Sequence, residues 1–386
     1  MDPADRIYRQ LQRHLDKSPS GFAAAKSGAD IRLLKHLLTP EEAEIAAHLS
    51  VVKAEPISRI HARLKKAGVY LRVDELGQTL ERMERKGTVL GYEKPNEEKR
   101  YKNAGVSAGG MIDFQVNRLT PELIDDVDRY HEDSFASLKK PRGQRVPPLR
   151  TIPVEKSLPL PDRRTVRTYD DVRQVVLKSP GPFSVANCIC RQMKDMRGQK
   201  CKHTELRETC IQIGPEHARR YVAMGIGRYI SREEVFEILD KALEAGLILQ
   251  PENSQRPDNI CCCCGDCCGP LQAAAKSPRP ADMYATDFIV GVDHGLCTGC
   301  GICVERCQLA ARVLIDGKSV FNTDRCIGCG NCVVSCPSGA SRLSLKQGTR
   351  VPPIDKDAAM MKMMASKTSR LGMLRLRLRV AFGRRV

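Results

Sequence analysis

The feature that most constrains this 386-residue chain is a repeated spacing of cysteine. Cys297 to Cys307 reads CTGCGICVERC and Cys326 to Cys336 reads CIGCGNCVVSC, the same C-x-x-C-x-x-C-x-x-x-C pattern 29 residues apart. Three thiols set two residues apart wrap one face of a metal centre, and the fourth is left to reach elsewhere. Eighteen cysteines in a chain with no secretion-like start and no apolar run of about 20 residues point to metal ligation in the cytosol, because reducing compartments keep thiols free.

The doubled run, with Pro337 after the second copy, resembles the bacterial two-cluster ferredoxins. The resemblance implies two [4Fe-4S] clusters with crossed ligation. Cys297, Cys300, Cys303 and Cys336 would hold cluster 1, and Cys326, Cys329, Cys332 and Cys307 cluster 2. Gly299, Gly301, Gly328 and Gly330 would let backbone amides approach the sulfides, and hydrogen bonds of that kind adjust reduction potential. Local patterns agree: FIVGVD precedes the first run, RVLI and SVF flank an Asp316-Gly317 hairpin turn, and RLSL follows the second. The first run departs from the pattern at Gln308, where proline is usual. Zinc in two four-cysteine sites would share the ligands but does not call for the doubled spacing.

Ten further cysteines crowd residues 188 to 268: Cys188, Cys190, Cys201 and Cys210, then Cys261, Cys262, Cys263, Cys264, Cys267 and Cys268. Adjacent residues are poor disulfide partners, since their Cα atoms lie about 3.8 Å apart and a disulfide prefers about 5.5–6 Å. Cys188 and Cys190 form a C-x-C pair that, if extended, would point both sulfurs to one side. The ten thiols are expected to hold a further iron–sulfur centre, built on Cys188, Cys190, Cys201 and Cys210 with help from the second group, or zinc; no simple spacing declares the partition. Arg191 is placed to offset thiolate charge, although a surface arginine is equally ordinary there, while His203 in CKHTE reads as solvated. From CICR through CCCCGDCCG to the paired runs, most of residues 20 to 346 resembles a loosely characterised group of 4Fe-4S binding proteins of anaerobic bacteria. The CCG triplets are also similar to cysteine-rich domains of heterodisulfide reductases, whose long spacing is absent.

The fold class expected is α+β and multidomain. Residues 1–138 contain no cysteine and read as helices followed by a hairpin, which resembles a winged helix-turn-helix domain. The candidate recognition helix, Asp74 to Lys86, lacks a basic surplus, so protein docking is favoured over DNA binding. Residues 139–165 hold six prolines and read as an extended basic linker that packs poorly. Residues 166–275 form the cysteine-rich domain, expected to be mostly helical, with a well-marked helix in SREEVFEILDKALEAG. Residues 282–346 form the ferredoxin-like unit and residues 347–386 a basic, flexible tail.

The net charge of +17 is confined to Lys139–Thr168, at +7, and Ser341–Val386, at +10, so it does not mark a broadly nucleic-acid-like surface. LRLRLRV, Leu374 to Val380, alternates with period two, which suits a strand on a partner's edge or an extended segment on an anionic membrane surface. Taken together, the chain is expected to carry single electrons through two [4Fe-4S] clusters, with an additional centre and redox protein partners, rather than to act as a stand-alone enzyme. The alternatives are a redox-responsive DNA-binding regulator and a reductase with its substrate at the cysteine-rich domain.

Overall fold

The computed structural model describes residues 3–106, 110–137, 147–158, 167–348 and 351–367, and mixes helix and sheet. Two compact units divide it, the first made of Met1–Arg145 with Met363–Val386 and the second running from Val146 to Lys362. Among the described residues no helix is long and apolar enough to cross a membrane. The alternating Leu374–Val380 segment lies outside the described residues.

In the first unit, helices α1 (Pro3–Leu15), α2 (Ala29–Leu37) and α3 (Pro40–Ala47) precede a two-residue strand β1 (Glu55–Pro56). Then come α4 (Ile57–Lys66), α5 (Val73–Lys86), the hairpin β2 (Val89–Tyr92) and β3 (Arg100–Asn103), and α6 (Pro121–Ser137). α5 stops at Gly87, whose φ of 79° suits a left-handed cap. β1 pairs antiparallel with β3, giving the sheet order β1-β3-β2.

The second unit is organised around a sheet, which corrects the expectation of a mostly helical cysteine-rich domain. Its elements are α7 (Val172–Lys178), β4 (Phe183–Asn187), α8 (Ile189–Met196), β5 (Glu208–Ile213), α9 (Pro215–Ala223), β6 (Gly227–Ile230), α10 (Arg232–Glu244), β7 (Ile248–Pro251), β8 (Asn259–Cys263) and α11 (Gly269–Lys276). The five strands pair in the order β6-β4-β5-β8-β7, all antiparallel. α10 begins where Ser231 accepts a hydrogen bond from the Glu234 N–H and ends before Gly246, as its sequence suggests. Val175, Val185, Ile211, Val235, Leu239, Leu249 and Ile260 form the apolar core on one face of this sheet.

The paired cysteine runs follow in the same unit. β9 (Phe288–Val292) leads to α12 (Ile302–Glu305), β10 (Arg312–Ile315), β11 (Lys318–Phe321), α13 (Asn331–Val334) and β12 (Ser341–Leu345). β10 and β11 form the expected hairpin, with Asp316 and Gly317 both at positive φ, and β12 pairs with β9.

Two segments depart from the sequence reading. Residues 147–158, read as part of a poorly packing linker, are a buried strap: the Arg150 and Ile152 N–H groups donate to Pro251 and Leu249 of β7, and Val154 N–H donates to the Cys329 carbonyl. Arg150, though basic, is buried with its guanidinium on buried Asp170 and over the Tyr169 ring. Prolines at 147, 148 and 153 leave the intervening amides free to donate, which is why the segment pairs in spite of them. The tail also begins in order: the Gln255 and Arg256 amides donate to Pro353 and Ile354, Lys356 pairs with Asp258 at 2.6 Å, and α14 (Lys356–Lys367) follows.

Removing the Ser231 cap with Ser231→Ala is expected to cost about 1 kcal/mol in thermal or denaturant unfolding. Asp170→Ala leaves a buried guanidinium unpaired and is expected to cost about 3–5 kcal/mol by the same measurement.

Candidate metal centres

The two cysteine runs superimpose in conformation before any ligand is considered. Gly299 and Gly328 have φ of 72° and 67°, and Gly301 and Gly330, which open α12 and α13, both have φ of 80°. A Cβ on Gly299 would collide with the Gly317 carbonyl, and one on Gly328 with the Phe288 carbonyl. Glycine is therefore required at both places by backbone approach as well as by φ.

The second run lends its last thiol to the first. Cys297, Cys300, Cys303 and Cys336 line one cavity, with Ser319 and Ser341 beside them. The Cys297 sulfur accepts from the Ser319 N–H at 3.4 Å, and the Ser319 and Gly299 amides hold its thiol below the usual cysteine range. Burial opposes ionisation of Cys336, but hydrogen bonds from Ser341, Ser338 and Ala340 bring it down to about 7. Cys300 is exposed.

Cys307, Cys326, Cys329 and Cys332 gather on the other side. Cys326 and Cys332 belong to one apolar cluster with Phe288, Val290 and Leu343, and Cys307 packs against it. Desolvation raises Cys307 and Cys329 and pushes Cys332 up to about 12, each also feeling the charges of the others. The Ala311 N–H donates to the Cys307 sulfur at 3.1 Å. Cys303 of the first quartet shares that apolar cluster, so the quartets differ in the exposed Cys300 and the larger number of donors around Cys336 in the first.

Gln308, in the place of the usual proline, has its own work. Its Oε1 accepts from the Gly265 N–H at 2.6 Å and its Nε2 donates to the Gly246 carbonyl at 2.5 Å. Asn331 donates to the same Gly246 carbonyl at 2.7 Å. Both runs therefore grip the end of α10, and the first also grips the CCCCGDCCG turn. A proline at 308 would supply neither contact.

β8 sorts the crowded thiols. Side chains alternate along a strand, so Cys261 and Cys263 face one way while Ile260 and Cys262 face the apolar core. Cys210 on β5 stands opposite Cys261 in the ladder. Thiol hydrogen bonds then run Cys210–Cys261–Cys263–Cys268–Cys190–Cys188 in one connected group. The Cys190 and Cys263 thiols hold Cys268 down at about 6, and Cys210 and Cys263 pull Cys261 well below its usual range.

The remaining four divide differently from the sequence expectation. Cys201 does not join Cys188, Cys190 and Cys210; it lies with Cys264 and Cys267 beside Asp266. Cys262 joins neither group and, buried in the core, is pushed up to about 12 by desolvation. The C-x-C pair is not extended either: Cys188 caps α8 and Cys190 lies in its first turn, so helix direction and not strand alternation brings their sulfurs together.

Arg191 is fully buried, not on the surface. It donates to the Thr209 hydroxyl at 2.6 Å and the Cys262 carbonyl at 2.9 Å, and lies 3.6 Å from the Cys264 sulfur. Its charge is turned toward Cys188, Cys264 and Cys201.

The six-thiol group also borders the second ferredoxin-like quartet. Cys263 and Cys268 share an apolar cluster with Leu271, Tyr284, Leu309 and Ile327, and Cys261 and Cys329 both pack against it.

Residues 319–342 match the 4Fe-4S binding domain family, a stretch that contains Cys326, Cys329, Cys332 and Cys336. The chain is an iron–sulfur protein. The matched segment carries at least one [4Fe-4S] cluster, and electron transfer is the activity it suggests. No curated protein and no solved structure matches the chain. The residues fit the group: four thiols line one cavity, and amides already point at their sulfurs.

Cys262→Ala is expected to leave metal content unchanged while costing about 1 kcal/mol of stability, whereas Cys263→Ser is expected to lower metal content. Metal analysis of the two purified variants distinguishes a core thiol from a ligand.

Proposed function

We propose that this iron–sulfur protein carries single electrons through two [4Fe-4S] clusters and a third iron–sulfur centre in the six-thiol group. The observation that carries this proposal is that Cys336, from the second run, lines the cavity of Cys297, Cys300 and Cys303 from the first. That is the crossed arrangement the doubled spacing implies. A cubane held by four thiolates supplies one-electron reduction without proton chemistry.

This chain's residues arrange the order of transfer. Cys300 is exposed and has the exposed side chains of Ile302 and Leu314 beside its cavity, which suits docking of a redox partner at cluster 1. Cys329, a ligand of cluster 2 in this scheme, adjoins the apolar cluster of Cys263 and Cys268. Transfer thus runs from the surface through cluster 1 and cluster 2 to the third centre, or the reverse. The larger number of donors around Cys297 and Cys336 than around Cys307 and Cys329 favours the reduced state of cluster 1 over that of cluster 2.

The first unit is assigned a docking role. Its order of helix, β1, α4, α5 and hairpin, with β1 on β3, supports the winged-helix reading. Several of its cations are engaged: Lys86 with Glu42 at 2.7 Å, Lys99 with Glu84 at 2.8 Å, and Arg72 with Asp74 at 2.8 Å. α5 carries four acidic residues against Arg82, Arg85 and Lys86, which suits a polyanion poorly, so protein docking is preferred to DNA regulation.

Iron and acid-labile sulfide counts on anaerobically purified protein test the proposal. About twelve irons with matching sulfide are expected, about eight would remove the third centre, and zinc without sulfide would overturn the whole scheme. Cys336→Ser is expected to disturb the EPR signal of cluster 1 and spare that of cluster 2. The docking role is tested by gel shift with random-sequence duplex, where no retardation is expected and a salt-sensitive shift would restore the DNA reading.

A further inference from the structure

Three of the ten middle-domain thiols stand apart from the six. Cys201 lies in the loop before β5, and Cys264 and Cys267 lie in the turn between β8 and α11. Folding brings the Cys201 and Cys264 sulfurs within 3.6 Å of each other. With a carboxylate oxygen of Asp266, the ligand atoms of all four residues fall within 4.8 Å of one another. The geometry points to a mononuclear zinc site made by Cys201, Cys264, Cys267 and Asp266, separate from the iron–sulfur centres.

The spacing decides between one ion and a cluster. Zinc bonds sulfur at about 2.3 Å, so two sulfurs on one tetrahedral ion stand about 3.8 Å apart. A cubane binds each thiolate to a different iron, and its ligand sulfurs must stand farther apart than that. The observed 3.6 Å fits a single ion. It is also well beyond a disulfide bond, which is about 2.05 Å.

The donor set and its surroundings suit zinc. Thiolates and carboxylates are both zinc ligands, and four protein ligands make a closed structural site with no open position for substrate. Cys264 and Cys267 present the C-x-x-C spacing of zinc knuckles, and the Gly265 amide between them is fixed by Gln308 at 2.6 Å. Asp266 is oriented by the Lys202 N–H, which donates to Oδ2 at 2.7 Å, while His203 Nε2 lies 3.7 Å from Oδ1, the oxygen that faces Cys201. These contacts are the outer shell that aims a ligand.

Arg191 puts buried positive charge against this site, as it does against Cys188 of the six-thiol group. Its guanidinium is fully buried, cannot give up its proton in a protein, and faces the thiols of Cys201 and Cys264. Were every thiol around it neutral, that cation would be uncompensated, which is among the costliest arrangements a core can hold. Three thiolates and a carboxylate on a dication carry excess negative charge and supply a partner on the Cys201–Cys264 side. Closing the site ties the loop at Cys201 to the turn that carries Cys268 of the six-thiol group.

The test uses full-length protein made anaerobically in medium containing both metals, with zinc, iron and acid-labile sulfide measured on each sample. One zinc per chain is expected. Cys201→Ser and Cys267→Ser are expected to lose it while iron and sulfide are unchanged, and Cys267→His is expected to retain it because zinc accepts imidazole. Cys190→Ser serves as the converse, keeping zinc whatever happens to iron. Protein grown on cobalt should show thiolate-to-metal charge-transfer bands that Cys201→Ser weakens. Wild-type protein free of zinc, loss of iron from Cys201→Ser, or a Cys201–Cys264 disulfide found by mass spectrometry would each overturn the site. None of these results depends on whether the six-thiol group holds a cluster, so the two proposals fail separately.

Discussion

The antiparallel pairing of β5 with β8 is the constraint from which the sorting of the crowded thiols in the second unit follows. It sets Cys210 opposite Cys261, and the two-residue period of β8 then sends Cys261 and Cys263 to one face and Cys262 to the other. A slip of one residue would exchange the faces, placing one thiol among the six and burying two in the core. Crowded thiols become useful because a strand separates neighbours that the sequence leaves side by side.

The second determinant is how the paired runs are joined to that sheet. The Gly246 carbonyl, left without an intrahelical partner at the end of α10, receives Nε2 of Gln308 and Nδ2 of Asn331, one from each run. Arg325 reinforces the join by donating to the carbonyls of Ala275 and Leu309. Orientation is thus fixed by hydrogen bonds to backbone carbonyls, whose partners do not titrate near neutral pH as the groups of surface ion pairs can.

Much of the ferredoxin-like region was legible because its spacing is dictated by ligand geometry and leaves few alternatives. The Asp316-Gly317 turn, the strands at 288–292 and 341–345, and the Ser231-capped helix announced themselves through period and turn chemistry. The five-stranded sheet did not. FSVAN, ILQP and NICCC are short and largely buried, so they show no alternation of polar and apolar residues, and cysteine and proline obscure their β character. The strap at 147–158 was hidden by prolines that bracket its pairing amides. The partition of the ten thiols was beyond any local pattern, because Cys201 meets Cys264 across 63 residues of chain. Arg191 carried a faint signal in its place after the C-x-C pair, and only burial gave it meaning.

The strap has a bearing on how this protein can be dissected. Because residues 149–154 lie along β7 and also meet the Cys329 loop, a scissor placed at the apparent domain border near residue 166 would strip both modules of a shared seam. Bare β7 would become a sticky margin open to self-association. A fragment that keeps the seam has to begin upstream of the strap, where the compact unit starts at Val146.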